Sequence, residues 1–174
     1  MPIYRDKIIP LASIATPNIF ELSELSGRKI TCEKDCLEAI KVIHEMGVPT
    51  VVVTSGLETP TVKYCFGSSI TDESINPVQY RFEIPSLPGV FVGTGDVFTS
   101  LLIVWLDKLN GDLRKAIEKV IGSLQGLLKR TIAHYHKTNP NSTSPATTID
   151  LELQLVQSRY FLLNPHVSIV SKAL

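Results

Sequence analysis

The chain has 174 residues, which is enough for a single domain with a substantial buried core. It carries 17 Lys plus Arg residues against 17 Asp plus Glu residues, and this balance, without a basic stripe, excludes nucleic-acid binding through bulk charge. Neither a signal peptide nor a membrane span is expected, because the first twenty residues lack a long apolar run and the longest such run, 97–106, is far too short to cross a bilayer.

The first third of the chain alternates between predicted strands and helices. "SIAT" at 13–16 is typical of a short buried strand, and the "NIFELSELSG" that follows it predicts a helix ending at Gly27. Apolar residues at three- and four-residue intervals predict a second helix over 33–46. The β-branched run "TVVVTS" at 50–55 is typical of a strand covered on both faces. A helix that leads into a buried strand indicates a parallel sheet and an α/β fold.

Three further apolar segments lead up to a glycine turn. Strands are predicted over 62–66 and 78–84, and "GVFV" at 89–92 is predicted to be another buried run. It continues directly into G-T-G-D at 93–96.

The rest of the chain is predicted to be mainly helical. A helix over about 96–109 is apolar on almost every side and is predicted to lie deep in the molecule, and an amphipathic helix is predicted over 112–137. The polar segment 137–148 is predicted to be a loop, 149–165 a last helix, and 166–170 a strand or tail.

The G-T-G-D segment combines two groups that phosphoryl transfer needs. The first N–H groups of a helix have no internal partner, and glycines there let a phosphate come close. The carboxylate of Asp96 can accept a proton from an attacking hydroxyl. The same residues also suit an ordinary turn and helix cap, and the two common nucleotide-binding fingerprints are absent. The segment alone therefore leaves both interpretations open.

Polar residues follow the first two predicted strands. Thr16, Asn18 and Glu21 come just after the first strand, and Thr54 and Ser55 come at the end of the second. Open parallel sheets bind ligands at the carboxyl ends of their strands, whereas the alternative is again a set of caps and turns. Together with G-T-G-D, which follows the predicted run 89–92, they make three polar segments at three strand ends, and this favours a binding site.

The remaining candidates are weaker. His134 and His136 are two residues apart, so on a helix they face different ways and do not share a metal, while His44 is expected at the surface or in packing. The chain has three cysteines, Cys32, Cys36 and Cys65, which is an odd number without C-x-x-C spacing. This predicts reduced thiols, a cytoplasmic location and no zinc site.

The motifs "TPNxFE…LSGRKI", "VVVTS", "VFVGTGDVF", "LQGLLKRT" and "LELQLVQS" resemble those of eukaryotic pyridoxal kinases in order and spacing. That family belongs to the ribokinase-like superfamily, which carries a glycine-x-glycine-aspartate turn. The resemblance runs from about Pro2 to the C-terminus and implies that 1–174 is a single ribokinase-like domain, the C-terminal portion of a pyridoxal kinase. It implies a mostly parallel central sheet flanked by helices, with the N-terminal strands missing.

The resemblance implies ATP-dependent phosphorylation of the 5′-hydroxyl of pyridoxal, pyridoxine or pyridoxamine in pyridoxal 5′-phosphate salvage. Asp96 would bind and deprotonate that hydroxyl, and the backbone amides of Gly93, Thr94 and Gly95 would form an anion hole. The implied cofactors are ATP, Mg²⁺ (or Zn²⁺) and a monovalent cation, K⁺ or Na⁺. The implied ATP-binding residues are Asn18, Glu21, Thr54, Ser55, Leu87, Val90, Phe91, Val92, Gly93, Thr94 and Gly95, and the implied metal-binding residues are Thr16, Glu21, Thr54 and Thr94.

The chain also departs from the family that it resembles. "SLPG" precedes the glycine turn in place of a more polar stretch, and "SRYFLLNP" is more apolar than its charged counterpart. The N-terminal half, with the lid and most of the vitamin pocket, has no counterpart, so unpaired strand edges and exposed apolar faces are expected. The family forms homodimers. The alternatives are therefore an inactive truncated isoform that associates with full-length kinase, or a ribokinase-like kinase of another small alcohol.

Overall fold

The computed structural model of the protein describes residues 2–70, 76–140, 146–148 and 150–174. Its contacts divide the chain into two compact units. Unit 1 comprises Met1–Pro85 and Val170–Leu174, and unit 2 comprises Ser86–Ile169. The expectation of a single domain stays a prediction.

Unit 1 contains the whole of the described sheet. Two consecutive helical turns, Tyr4–Ile8 and Ile9–Leu11, precede it. The elements that follow are β1 (Ile14–Ala15), α1 (Ile19–Ser26), α2 (Glu33–Glu45), β2 (Thr50–Glu58), β3 (Val62–Ser69), β4 (Val78–Pro85) and β5 (Val170–Ala173). The predicted strands and helices up to residue 84 are therefore confirmed as elements.

The direction of the strands differs from the prediction. The order is β1-β2-β3-β4-β5, and only β1 and β2 run parallel, with Ile14 opposite Thr50; the other three pairs are antiparallel. The described sheet is thus mixed rather than mostly parallel. For β2 and β3 the reason is connection length, because the three residues 59–61 close a hairpin but cannot make the crossover that a parallel pair needs.

The core of unit 1 lies where α1 and α2 pack on β2. Leu22 of α1, Ile40 of α2 and Val51 of β2 are completely buried in it. Val52 and Val53 are buried as well, so β2 is covered on both faces, as its β-branched run predicts. Gly27 ends α1 in a left-handed conformation, with φ of 69°.

Unit 2 is helical in its described part, with α3 (Thr94–Lys108), α4 (Leu113–Thr138) and α5 (Arg159–Leu163). The prediction that α3 lies deep in the molecule is wrong. Only Phe98 and Leu102 of this helix are buried, whereas Ile103 and Val104 are 56% and 46% exposed. No described helix is both long and apolar enough to cross a membrane.

Two other predictions for unit 2 are wrong. "GVFV" is neither a strand nor buried, since Val90 and Val92 are 68% and 70% exposed and Gly89 turns the chain with φ of 112°. The helix predicted over 149–165 shrinks to the five residues of α5. The leucines at 151, 153 and 155 alternate with a period of two, which does not fit a helix. The strand predicted over 166–170 begins only at Val170 as β5, and part of the loop predicted over 137–148 lies outside the described residues.

Candidate functional site

In unit 1 the carboxyl end of β1 lies beside the first half of β2, so Thr54 and Ser55 lie within β2 and not beyond its end. The Thr54 N–H donates a hydrogen bond of 3.0 Å to the carbonyl oxygen of Pro17, just beyond β1. At the same point β2 bulges away from β3: Val53 pairs with Phe66 and Leu57 with Tyr64, so residues 54–56 stand opposite Cys65 alone. Bulges of this kind redirect side chains and are frequent beside active sites.

The start of α1 is held by a reciprocal cap. The Asn18 side-chain oxygen accepts from the Glu21 N–H at 2.8 Å, and Oε2 of Glu21 accepts from the Asn18 N–H at 2.9 Å. Asn18 and Glu21 therefore do form a helix cap, which was the alternative to a ligand-binding role. The cap uses one oxygen of the Glu21 carboxylate.

Gly56 lets the bulge approach the first turn of α1. Its φ is 119°, and a Cβ atom at this position would overlap the side chain of Ile19. Only glycine combines this backbone conformation with this close approach. Thr54 and Ser55, both half-buried, are consequently fixed beside the start of α1.

In unit 2 the glycine turn opens α3 as predicted. Gly93 precedes the helix with φ of 84°, and the first bond within the helix runs from the Val97 N–H to the Gly93 carbonyl at 3.2 Å. Among the described residues, the N–H groups of Thr94, Gly95 and Asp96 have no hydrogen-bond acceptor. These three donors and the exposed carboxylate of Asp96 stand at the positive end of the helix dipole.

The loop before α3 borders a cavity of about 350 Å³. Val92 lines it together with Thr148, Leu151, Glu152 and Leu153, whereas Leu87, Val90 and Phe91 are not among the described residues that line it. Sequence analysis did not predict Thr148, Leu151, Glu152 and Leu153 as site residues. The alternation of leucines at 151, 153 and 155 is the signal that could have argued against a helix here.

The predicted site residues thus form two local sets. Thr16, Asn18, Glu21, Thr54 and Ser55 belong to unit 1, and the segment from Leu87 to Asp96 belongs to unit 2. The predicted metal set is divided in the same way, because Thr94 is the member that lies in unit 2. Within the described part of the chain, no group of three or more His, Cys, Asp or Glu residues is arranged to hold a metal ion.

His44 proves to be a packing residue. It is buried, and its Nδ1 lies 2.7 Å from the Val48 carbonyl oxygen and its Nε2 2.8 Å from the Ser68 hydroxyl. Because a carbonyl can only accept, Nδ1 carries a proton. The imidazole thus joins α2 to β3.

Comparison with known proteins decides the family. Residues 1–142 match the family described as phosphomethylpyrimidine kinase. The chain belongs to the phosphomethylpyrimidine kinase family. A putative pyridoxal kinase of Caenorhabditis elegans is 48% identical over 95% of the chain, which covers 50% of that relative. The pyridoxal kinase of Homo sapiens is 34% identical over the whole chain, which covers 58% of it.

Solved structures of pyridoxal kinases share the fold of this member of the phosphomethylpyrimidine kinase family. The pyridoxal kinase from Leishmania donovani in complex with ADP and pyridoxamine superposes with a TM-score of 0.84 at 31% identity, covering 98% of this chain and 54% of that one. The α/β, ribokinase-like fold and the resemblance to pyridoxal kinases are confirmed. The chain spans about half the length of the curated relatives it matches and corresponds to their C-terminal part.

Proposed function

We propose that this chain supplies the catalytic base and much of the ATP-binding surface of a pyridoxal kinase. The reaction is transfer of the γ-phosphate of ATP to the 5′-hydroxyl of pyridoxal, pyridoxine or pyridoxamine. The observation that carries the proposal is G-T-G-D at the start of α3, where three N–H groups without an acceptor among the described residues lie beside an exposed carboxylate, in a chain whose relatives are named pyridoxal kinases.

Asp96 acts as the general base. Its carboxylate accepts the proton of the substrate hydroxyl while the hydroxyl oxygen forms a bond to the γ-phosphorus and the bond from that phosphorus to ADP breaks. The N–H groups of Thr94 and Gly95, two members of the predicted anion hole, donate together with that of Asp96 to the phosphoryl oxygens on which charge develops, and Gly93, the third predicted member, supplies the turn that precedes them. Positioning and electrostatic stabilisation are the main contributions that a protein makes to this reaction. The left-handed Gly93 lets the phosphoryl group come close to these donors.

Each unit by itself carries proposed ATP contacts. Thr54 and Ser55, fixed by the bulge of β2, bind its phosphates, and Asn18 and Glu21 act near the nucleotide. The segment from Leu87 to Val92 lines the adenine side, and the cavity beside Val92 adds the apolar surface of Leu151 and Leu153. ADP is present in related structures, including that of the Leishmania donovani enzyme.

The donor chemistry suits Mg²⁺ better than Zn²⁺. Mg²⁺ takes one or two protein carboxylates together with substrate phosphates, and Glu21 keeps one carboxylate oxygen outside its cap. Zn²⁺ favours nitrogen and sulfur ligands, and the proposed metal-binding residues contain neither histidine nor cysteine. Thr16, Thr54 and Thr94 would supply oxygens to a monovalent cation, K⁺ or Na⁺.

We also propose that the protein is cytoplasmic, that it forms a homodimer, and that residues 1–174 form a single ribokinase-like domain.

The test is ATP-dependent formation of pyridoxal 5′-phosphate by the 174-residue chain, alone and co-expressed with the N-terminal half of the Caenorhabditis elegans relative. Asp96→Asn keeps the shape of the side chain but removes the base, and it is expected to lower kcat by about 10²–10⁴-fold. Asp107→Asn is the matched control, because Asp107 is exposed on the same helix.

The two variants separate the outcomes. Loss of turnover in Asp96→Asn with normal turnover in Asp107→Asn is the expected result. Equal turnover in both variants would show that Asp96 is not the base. Turnover on a phosphomethylpyrimidine but not on pyridoxal would transfer the proposal to the substrate class that the family description names.

A further inference from the structure

Within unit 2, α5 and the turns before it expose a row of apolar side chains. Val156, Tyr160 and Leu163 are 81%, 66% and 64% exposed. The Arg159 N–H bonds to the Val156 carbonyl and the Asn164 N–H to the Tyr160 carbonyl, so the chain keeps helical turns through this segment. On such turns, residues at intervals of four and three lie on the same side. These three exposed side chains are called the α5 stripe below.

Another side of the same segment packs on α4. A Cβ atom at Gly126 would lie 2.7 Å from Cγ of Phe161, and the Gln154 N–H donates to the Thr131 hydroxyl at 3.2 Å. Residue numbers rise along α4 from the first contact to the second but fall along the packed segment. The segment therefore runs antiparallel to α4.

This register places basic residues next to the α5 stripe. Lys129 and Arg130, both exposed, lie on α4 between these two contacts, so they stand beside residues 155–160. Arg159 is exposed within that segment itself. The apolar side chains are thus bordered by cations.

The charge of this region has one sign. The sequence has no Asp or Glu over 119–138, nor over 153–169. The same two ranges contain five cationic side chains: Lys119, Lys129, Arg130, Lys137 and Arg159. Because the formal net charge of the whole chain is zero, this positive charge is a local property of α4 and α5.

We propose that the α5 stripe and the cations beside it bind the surface of a membrane that contains anionic lipids. Exposed aromatic and aliphatic side chains enter the boundary between headgroups and acyl chains, where a tyrosine ring is well accommodated. Lys and Arg beside them attract the anionic headgroups. Two such contributions together give firmer attachment than either alone. Binding of this kind needs no helix that crosses the bilayer.

A protein partner fits this surface less well. A stable protein interface buries about 800 Å² on each partner, and the three side chains of the α5 stripe cover less than that. A second copy of this chain, related by a two-fold axis, would bring Arg159 and its neighbouring cations against the same cations. An anionic lipid surface supplies the opposite charge and needs no matching shape.

The experiment is flotation of the 174-residue chain with vesicles through a sucrose gradient, in which vesicles rise and aggregates sink. Vesicles of phosphatidylcholine and phosphatidylserine in equal parts are compared with vesicles of phosphatidylcholine alone. The chain is expected to float with the first and not with the second. Added salt is expected to weaken the binding, because it screens the cations. No turnover is involved, so the result does not depend on the proposed kinase activity.

Two independent double variants test the two parts of the surface. Tyr160→Ser/Leu163→Ser removes exposed apolar side chains without adding charge, and Lys129→Gln/Arg130→Gln removes two cations. Each is expected to lower partition onto the phosphatidylserine vesicles at least about tenfold. Circular dichroism establishes that each variant is folded.

Two further double variants are the matched controls, both in unit 1. Leu11→Ser/Val170→Ser removes apolar side chains that are 84% and 64% exposed. Lys34→Gln/Lys41→Gln removes two exposed lysines of α2. Both controls are expected to float like the unchanged chain.

Four results would overturn the proposal. One is absence of folded chain from the floating phosphatidylserine vesicles, and another is equal binding to vesicles of phosphatidylcholine alone. The third is an equal loss of binding in the test variants and in their controls. The last is a dimer of the chain, formed without vesicles, that Tyr160→Ser/Leu163→Ser dissociates, because a second copy would then occupy the α5 stripe.

Discussion

The hydrogen bonds of the Asp35 carboxylate make the stability of the first turn of α2 depend on pH. Oδ2 of Asp35 accepts from the Thr31 hydroxyl at 2.7 Å and from the Thr31 N–H at 2.9 Å. These bonds, the hydroxyl's first, lower the pKa of Asp35 from 3.8 to about 2. Because the folded-state pKa lies below the unfolded value, the stabilisation is present above pH 3.8 and is lost as the pH falls through about 2.

Thr31→Val tests this link at the residue scale. The variant removes the hydroxyl donor but keeps the backbone donor, so the pKa of Asp35 is expected to rise toward its ordinary value and acid unfolding to begin at higher pH. The measurement is an NMR titration of the Asp35 carboxyl carbon together with acid unfolding followed by circular dichroism. Thr61→Val, at an exposed threonine, is the control. An unchanged Asp35 titration in Thr31→Val would refute the assigned cause.

At the scale of elements, the contact between α4 and α5 depends on a glycine. A Cβ atom at Gly126 would lie 2.7 Å from Cγ of Phe161, well inside ordinary contact distance. In an open helix Gly→Ala stabilises by about 1 kcal/mol, but overpacking costs about 1–3 kcal/mol. Gly126→Ala is therefore expected to destabilise the protein, as measured by urea unfolding.

A double variant distinguishes steric overlap from helix propensity. Phe161→Gly removes both Cγ and Cβ of Phe161, which would lie 2.7 and 2.8 Å from the new methyl group, so in that background Gly126→Ala is expected to be neutral or stabilising. The same loss of stability from Gly126→Ala in both backgrounds would show that the side chain of Phe161 is not the cause.

Elements with local signals are the ones that sequence reasoning predicts. The Asn18–Glu21 cap and Gly27 bound α1 within a few residues, and apolar periodicity identifies α2. Strand direction depends on how the connections run and on which strands pair, which explains why the expectation of a mostly parallel sheet did not anticipate the antiparallel β3 and β4. The exposure of Ile103 and Val104 on α3 likewise depends on what packs against the helix and not on its own composition.

At the scale of the whole molecule, the candidate site illustrates the same limit. G-T-G-D predicts the start of α3 because a left-handed glycine and the helix that follows are neighbours in sequence. The cavity beside Val92 was not predicted, since Leu151 and Leu153 come from nearly sixty residues further along the chain. The roles of the individual site residues stay predictions until variants are measured.

The overall charge and the exposed apolar residues together predict how the chain behaves in solution. Formal net charge is zero at pH 7 and the isoelectric point is about 6.9. Large apolar side chains such as Leu11 and Val156 are 84% and 81% exposed. Because a protein near zero net charge lacks the repulsion that opposes association, light scattering at fixed concentration is expected to be greatest near pH 7.

Two substitutions at Val156 separate the contribution of charge from that of apolar surface. Val156→Glu and Val156→Lys both remove the same exposed apolar side chain, so each is expected to lower the scattering maximum. They change net charge in opposite directions, so the maximum is expected to move to lower pH with Glu and to higher pH with Lys. If the maximum moves but its height stays the same, net charge alone governs association. If neither position nor height changes, association occurs through a surface that does not include Val156, and Leu11, which is 84% exposed, becomes the next residue to substitute.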